Sequence, residues 1–185
     1  MSEASGSSRD RRGGGASWRG KRVGKYRLLR WLGHAEGSAG GAGVDAGERG
    51  AAGARVDRGK VFSAEDTARG GSVVLRLAAA KAPAAEGLLR AARAASQVRH
   101  PGVVEVHEIG EVDGFVYVAM EAVEGGSVAE MIRDRGPLPA GWACGLAADA
   151  AEGLAYAQGF GVVHGGLDAE QLLVTRAGRG KVAGL

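Results

Sequence analysis

At 185 residues, 45% hydrophobic and 24% charged, the chain suffices for one medium domain or two small lobes of ordinary globular composition. A single cysteine, Cys144, excludes an internal disulfide and suits a reducing, cytoplasmic setting. The first residues, MSEASGSSRDRRGGG, hold no apolar signal region, and no uninterrupted apolar run reaches the length of a membrane span.

Charge and glycine are unevenly placed along the chain. Residues 1–30 carry nine Lys/Arg against Glu3 and Asp10, while the remainder has an acidic excess that returns the total to +3. Residues 1–24 therefore read as a disordered, solvated basic tail. Contact of this tail with nucleic acid or an anionic membrane is not expected: no aromatic residue beyond Trp18 interleaves the cations, and no recognition helix follows. A strand is expected from Tyr26 to Leu32, ending at Gly33. Residues 34–58 are rich in Gly and Ala without a sustained period and read as an inserted irregular loop.

Strands resume at Lys60 to Ala64 and at the β-branched run Val73 to Leu77. Glu86 to Val98 has helical spacing, with Leu88, Ala92 and Ala95, or Leu89, Ala92 and Val98, on its apolar face. Val103 to Ile109 and Phe115 to Met120 flank a Val112-Asp113-Gly114 turn and predict a hairpin. Ser127 is positioned to cap a short helix. After Gly136-Pro137-Leu138-Pro139 a long helix spans roughly 140–158, with Ala143, Ala147, Ala150 and Leu154 as a small-residue packing face and Cys144 as a small core residue. Strands at Leu172 to Thr175 and Lys181 to Ala183 close the chain around an Ala177-Gly178 turn. Strands first and helices later predict an α+β arrangement.

The segment His164-Gly165-Gly166-Leu167-Asp168-Ala169-Glu170-Gln171-Leu172-Leu173 resembles, without a gap, the catalytic loop H-R-D-L-K-P-E-N-I-L of the bacterial serine/threonine protein kinases. Further segments follow the same family in the right order. Arg99-His100-Pro101-Gly102-Val103-Val104 resembles R-H-P-N-I-V, and Met120-Glu121-Ala122-Val123-Glu124-Gly125-Gly126-Ser127 resembles the hinge M-E-Y-V-E-G-G-S. Leu154-Ala155-Tyr156-Ala157-Gln158 with Gly161-Val162-Val163-His164 resembles L-A-Y-A-H…G-V-V-H, and Lys181-Val182-Ala183-Gly184-Leu185 resembles the strand that enters D-F-G. The resemblance covers roughly residues 25–185. It implies a kinase-like fold: an antiparallel-sheet N-lobe with one main helix and the hinge over 25–123, then an incomplete helical C-lobe over 124–185.

The same resemblance implies which chemistry is missing. The phosphate-covering loop of the family is glycine-rich because only Gly lets backbone N–H groups approach phosphate closely. Gly33 and Gly59, its ends here, lie 26 positions apart where the family pattern has five. Arg76 stands at the position of the phosphate-binding lysine and Ala91 at that of its glutamate partner; Glu86, about 140° further round a helix, points elsewhere. Gly166 replaces the catalytic aspartate, whose general-base help is typically worth ~10²–10⁴-fold. Gln171 replaces the metal-binding asparagine, and Gly184 the aspartate that holds magnesium.

No catalytic position is intact, and no metal site is expected. The four histidines share no ligand spacing with Cys144 or with one another. A vestigial nucleotide pocket is expected from Gly33, Val61, Val74, Arg76, Glu121, Val123 and Leu173, with Val74 crowding the adenine face and ATP, if bound, held without magnesium. The implied role is a pseudokinase that binds another protein, or self-associates through an exposed face of the long C-lobe helix. The alternative is a divergent or fragmentary serine/threonine kinase that binds ATP and phosphorylates protein hydroxyls.

Overall fold

The computed structural model describes residues 18–34 and 59–185; the rest of the expected tail and the body of the Gly/Ala-rich insertion lie outside the described residues. Six strands form one antiparallel sheet: β1 (Arg22–Val23), β2 (Tyr26–His34), β3 (Lys60–Asp66), β4 (Ser72–Ala79), β5 (Val106–Val112) and β6 (Phe115–Glu121). Their spatial order is β1-β2-β3-β4-β6-β5. Helix α1 (Pro83–Ala95) follows β4. Then come α2 (Val128–Arg135), α3 (Ala140–Gln158) and a small antiparallel pair, β7 (Leu172–Val174) and β8 (Gly180–Val182). The fold is α+β, with an antiparallel-sheet lobe carrying one helix and a smaller lobe built on α2, α3 and the β7–β8 pair.

Period-two alternation decides which strand residues enter the core. Val73, Leu75 and Leu77 of β4 face Phe62, Ala64, Tyr26, Leu28, Tyr117 and Ala119 inside the curled sheet. The alternate residues turn to the other face, where Ala78, Val106, Val116 and Val118 meet Ala85, Leu88, Ala92 and Ala95 of α1. The helix starts three residues before the expected Glu86, because Pro83 has the φ that a first helical turn needs. It ends at Ala95, so Val98 packs in a separate cluster with Val103, Ala157 and Val162. Of the two apolar faces allowed by spacing, the Leu88-Ala92-Ala95 one is buried.

One carboxylate knits the open end of the sheet. Tyr26 Oη donates to Glu108 at 3.0 Å, Tyr117 Oη donates at 2.6 Å, and Lys25 Nζ lies 2.5 Å away. Burial and the bond to Glu108 push both tyrosines up to about 12. The Lys25 and Tyr117 bonds hold Glu108 below its usual range. The sign follows from linkage. The raised tyrosines stabilise the fold fully below pH 10 and lose that contribution between pH 10 and about 12. The depressed Glu108 contributes above its ordinary value of 4.5 and loses its contribution as pH falls below that. We expect Glu108→Gln to flatten both flanks of a melting-temperature profile against pH; an unchanged profile would refute the coupling.

Three sequence expectations are corrected. Residues 18–24 are not all tail: Trp18 packs on Phe62 and Phe115, and β1 pairs with β2. Aromatic burial and a sheet edge outweigh the local excess of charge. The buried line of α3 runs through Leu146, Asp149, Ala150, Gly153 and Ala157, whereas Ala143 and Ala147 are exposed. A search for apolar spacing passes over this line because one member is an aspartate. Cys144 lies off the same line and is exposed.

The smaller lobe is joined to the sheet lobe by backbone. Val104 N–H donates to Val182 O at 2.9 Å and Val182 N–H to Gly102 O at 2.8 Å. A Cβ on Gly153 of α3 would stand 2.7 Å from Gly102 O, so the helix and this loop touch closely only because neither residue has a side chain. Ser127 caps α2 by accepting from Glu130 N–H, and the Glu130 carboxylate accepts from Ser127 N–H, a complete capping box.

Candidate functional site

The sheet register places most of the expected nucleotide pocket on one surface. Gly33 of β2 pairs with Val61 of β3, Val61 with Arg76 of β4, and Arg76 with Val118 of β6. Cross-strand partners share a face, so Val61 and Arg76 stand side by side. Two residues back along β4, Val74 lies on the same face, paired with Ser63 and Met120. Burial pushes the Arg76 guanidinium below its ordinary value, the direction expected when a charge is moved out of water.

Glu121 ends β6, and half-buried Val123 follows two residues beyond the strand. The Glu121 N–H donates to Glu105 O at 2.9 Å, so this hinge donor is already used. Its carboxylate accepts from Lys181 Nζ at 2.6 and 2.7 Å. The pair spans 60 residues and ties the hinge to β8. Sequence reading missed it, because opposite charges that far apart carry no local signal. Leu173 sits in β7, bridged to Ser127 and paired with Lys181. Its neighbour Leu172 packs into the cluster of Val128, Leu146 and Val174, so Leu173 points to the opposite side.

Ala91 is not brought to this surface. It lies on the exposed side of α1, while Leu88 and Ala92 face the sheet. The catalytic-loop residues do converge. His164 Nε2–H donates to Ala183 O at 2.9 Å, and Ala183 N–H donates to Gln171 O at 2.8 Å. A Cβ on Gly184 would stand 3.7 Å from both His164 Nε2 and the Gln171 side-chain carbon. His164 Nδ1 and Gln171 Oε1 are buried without a hydrogen-bond partner among the described residues. Leu185 touches both the α1–sheet cluster and the Val98–Val103–Ala157 cluster.

Asp149 holds this arrangement from behind. It accepts from Gly180 N–H at 2.8 Å and from the Arg179 guanidinium at 3.0 and 2.5 Å. Burial alone would raise its carboxyl, but the Gly180 and Arg179 bonds outweigh burial and leave it below the usual range. Among the described residues no three His, Cys, Asp or Glu side chains converge where a metal could be held. Around Gly184 the donors are one amide oxygen and one imidazole, which do not suit magnesium, an ion that prefers carboxylate and phosphate oxygens in octahedral array. No helix is long and apolar enough to cross a membrane among the described residues.

A curled antiparallel sheet with one helix on its face, hinged to a loop in which a histidine holds the chain just past a strand end, is the arrangement of a protein-kinase domain. The family model for protein tyrosine and serine/threonine kinases matches residues 48–185, and the chain belongs to that family. It is 34% identical over 131 residues to the serine/threonine-protein kinase pkn2 of Myxococcus xanthus, covering 69% of this chain and 16% of that protein. It is 33% identical over 125 residues to PknE of Mycobacterium tuberculosis, covering 65% of this chain and 22% of the relative. With PknH of Mycobacterium bovis it shares 34% identity over 126 residues, 66% of this chain and 21% of the relative. The chain thus spans roughly a fifth of the length of these curated relatives.

Proposed function

We propose that the chain is a pseudokinase: a kinase-like module without phosphoryl transfer that works by binding another protein. The observation that carries this reading is the cluster around His164. Its framework hydrogen bonds are formed, yet Gly166, Gln171 and Gly184 occupy the positions where the family keeps its base and metal ligands. A glycine can neither accept the hydroxyl proton of a substrate nor neutralise phosphate charge through a metal. A nucleotide that enters the cleft does so without magnesium, against the Val61–Val74–Arg76 surface and the hinge. A protein-binding role also suits the exposed apolar side of α3 and the turn after it, where Tyr156, Phe160 and Val163 are 41%, 46% and 74% exposed.

A second reading is a divergent serine/threonine kinase, favoured by the names of the curated relatives and by the register that sets Gly33, Val61 and Arg76 on one rung. One assay separates the two. Purified chain given magnesium, labelled ATP and a generic Ser/Thr protein substrate should transfer no phosphate above a no-enzyme control. Transfer that Arg76→Ala abolishes would falsify the first reading and establish the second.

A further inference from the structure

Arg30 stands on the same face of the sheet as the expected nucleotide pocket, outside the residues that compose it. Strand pairing draws two rungs across that face. The first runs Arg30–Ser63–Val74–Met120. The second, two residues further along β4, runs Gly33–Val61–Arg76–Val118. Glu121 pairs with Val73, so the first rung is the one beside the hinge. Cross-strand partners share a face, which sets Arg30, Val61, Val74 and Arg76 on one side. Arg30 is exposed and Arg76 half-buried. Two strand spacings and two residues of rise separate them, about 12 Å between Cα positions.

Nothing else on this face answers the charge of Arg30. Helix α1 covers the far half, where its cluster takes Ala78, Val106, Val116 and Val118 and no residue of β1, β2 or β3. On the uncovered half the register also places Arg22, Arg27 and Glu65. Glu65, the only carboxylate among the described strand residues of that half, is held by Arg27. Towards the hinge, Glu124 pairs with Arg176 at 3.0 Å. Arg30 makes no ion pair with any described residue.

Its position decides which anion it meets. A nucleotide laid from the hinge to Arg76 sets its base beside Val74 on the first rung and its 5′-phosphate at Arg76 on the second. Arg30 is on the first rung, two strands to the side, so it flanks the base and ribose rather than the 5′-phosphate. ATP carries no anionic group there. A phosphate on the ribose would lie there, and the planar fork of arginine matches phosphate oxygens two at a time.

We propose that Arg30 is a specificity-determining residue of the cleft, and that the cleft takes a nucleotide phosphorylated on the ribose 2′ or 3′ oxygen as well as at 5′. The proposal rests on the reading of the cleft as a magnesium-free nucleotide site.

Titration calorimetry of the full chain in EDTA tests it, with adenosine 5′-monophosphate and the 2′,5′- and 3′,5′-bisphosphates of adenosine as probes. One of the bisphosphates should bind about tenfold more tightly than the monophosphate, the worth of one charge-assisted contact at an exposed site. Arg30→Gln should reduce that bisphosphate to the affinity of the monophosphate. Its melting temperature should stay close to the parent's, since the side chain is outside the core. Arg22→Gln removes the same charge from the same face, one strand further out, and should keep the tenfold difference. The proposal is overturned by equal affinities in the parent, by binding of none of the three, by an Arg30→Gln variant that keeps the preference, or by an Arg22→Gln variant that loses it. Failure here is separable from failure of the pseudokinase reading. Phosphoryl transfer in magnesium refutes that reading, whereas the metal-free titration reads only the contact with the ribose phosphate.

Discussion

Asp149→Ala is expected to destabilise the protein by about 2–3 kcal/mol, and Asp149→Asn by roughly half as much. The alanine variant leaves the Gly180 N–H without its acceptor inside the lobe and releases the Arg179 fork. Arg179 is 70% exposed and regains water, so most of the loss comes from the backbone donor and the carboxylate's place in the packing. Asparagine keeps one acceptor for Gly180 but no charge for Arg179. For a chain of this size the alanine variant should lower the melting temperature by roughly 4–12 °C. The pH sign is fixed by the depressed carboxyl: the contribution is present above its ordinary value of 3.8 and disappears as pH falls below that. Parent and alanine variant should therefore converge in stability only in acid. A gap of the same size at every pH would mean that Asp149 acts through packing alone. β8 begins at Gly180, so the alanine variant should also loosen the strand that leads into Ala183 and Gly184, read as faster amide exchange at Val182 and Ala183.

Gly184→Asp is expected to create a magnesium-dependent response to ATP that the parent lacks. The position has room: an added Cβ meets nothing closer than 3.7 Å, and the neighbours are the Gln171 side chain and His164. It also has a φ of +82°, which costs a non-glycine residue about 1 kcal/mol, least for Asp and Asn. The variant should thus melt a few degrees lower than the parent without ligand. With magnesium and ATP at 100 times the dissociation constant, native-state binding adds about 2.7 kcal/mol. That corresponds to a rise of roughly 5–10 °C. In EDTA the rise should vanish. The parent should show the same ATP response, large or small, in magnesium and in EDTA. A parent whose ATP response depends on magnesium would sink the pseudokinase reading. A folded variant indifferent to magnesium would show that the second missing ligand, at Gly166 or Gln171, is also needed. Gly166→Asp/Gly184→Asp then tests whether phosphoryl transfer returns.

Much of the fold was legible because its signals are local. Alternation along Val73 to Leu77, the Asp113-Gly114 turn and Ser127 before a short helix each report backbone geometry within a few residues, and the strands, hairpin and helix cap stand there. Pro83 shows how the same kind of signal can be under-read, since it opens α1 three residues earlier than periodicity suggests. The ordered gap-free match around His164 likewise identified the family, because the spacing of such a loop is a local signal.

What the chain carried in its own order was therefore the family, most of the elements, and the residues that the resemblance sets at the family's catalytic positions: Arg76, Ala91, Gly166, Gln171 and Gly184. Which of them meet, and what holds them, only the tertiary structure decided. Ala91 turns outward on α1 while Gln171 and Gly184 close on His164. Asp149, polar and invisible to a search for apolar spacing, is buried because Gly180 and Arg179 supply its hydrogen bonds from 30 residues away. Glu121 finds Lys181, and Lys60 finds Trp18, only when strands pair. The reason is physical: turn chemistry and periodicity act within a few residues, whereas charge pairing and the burial of a polar group depend on what the folded chain places within a few ångströms.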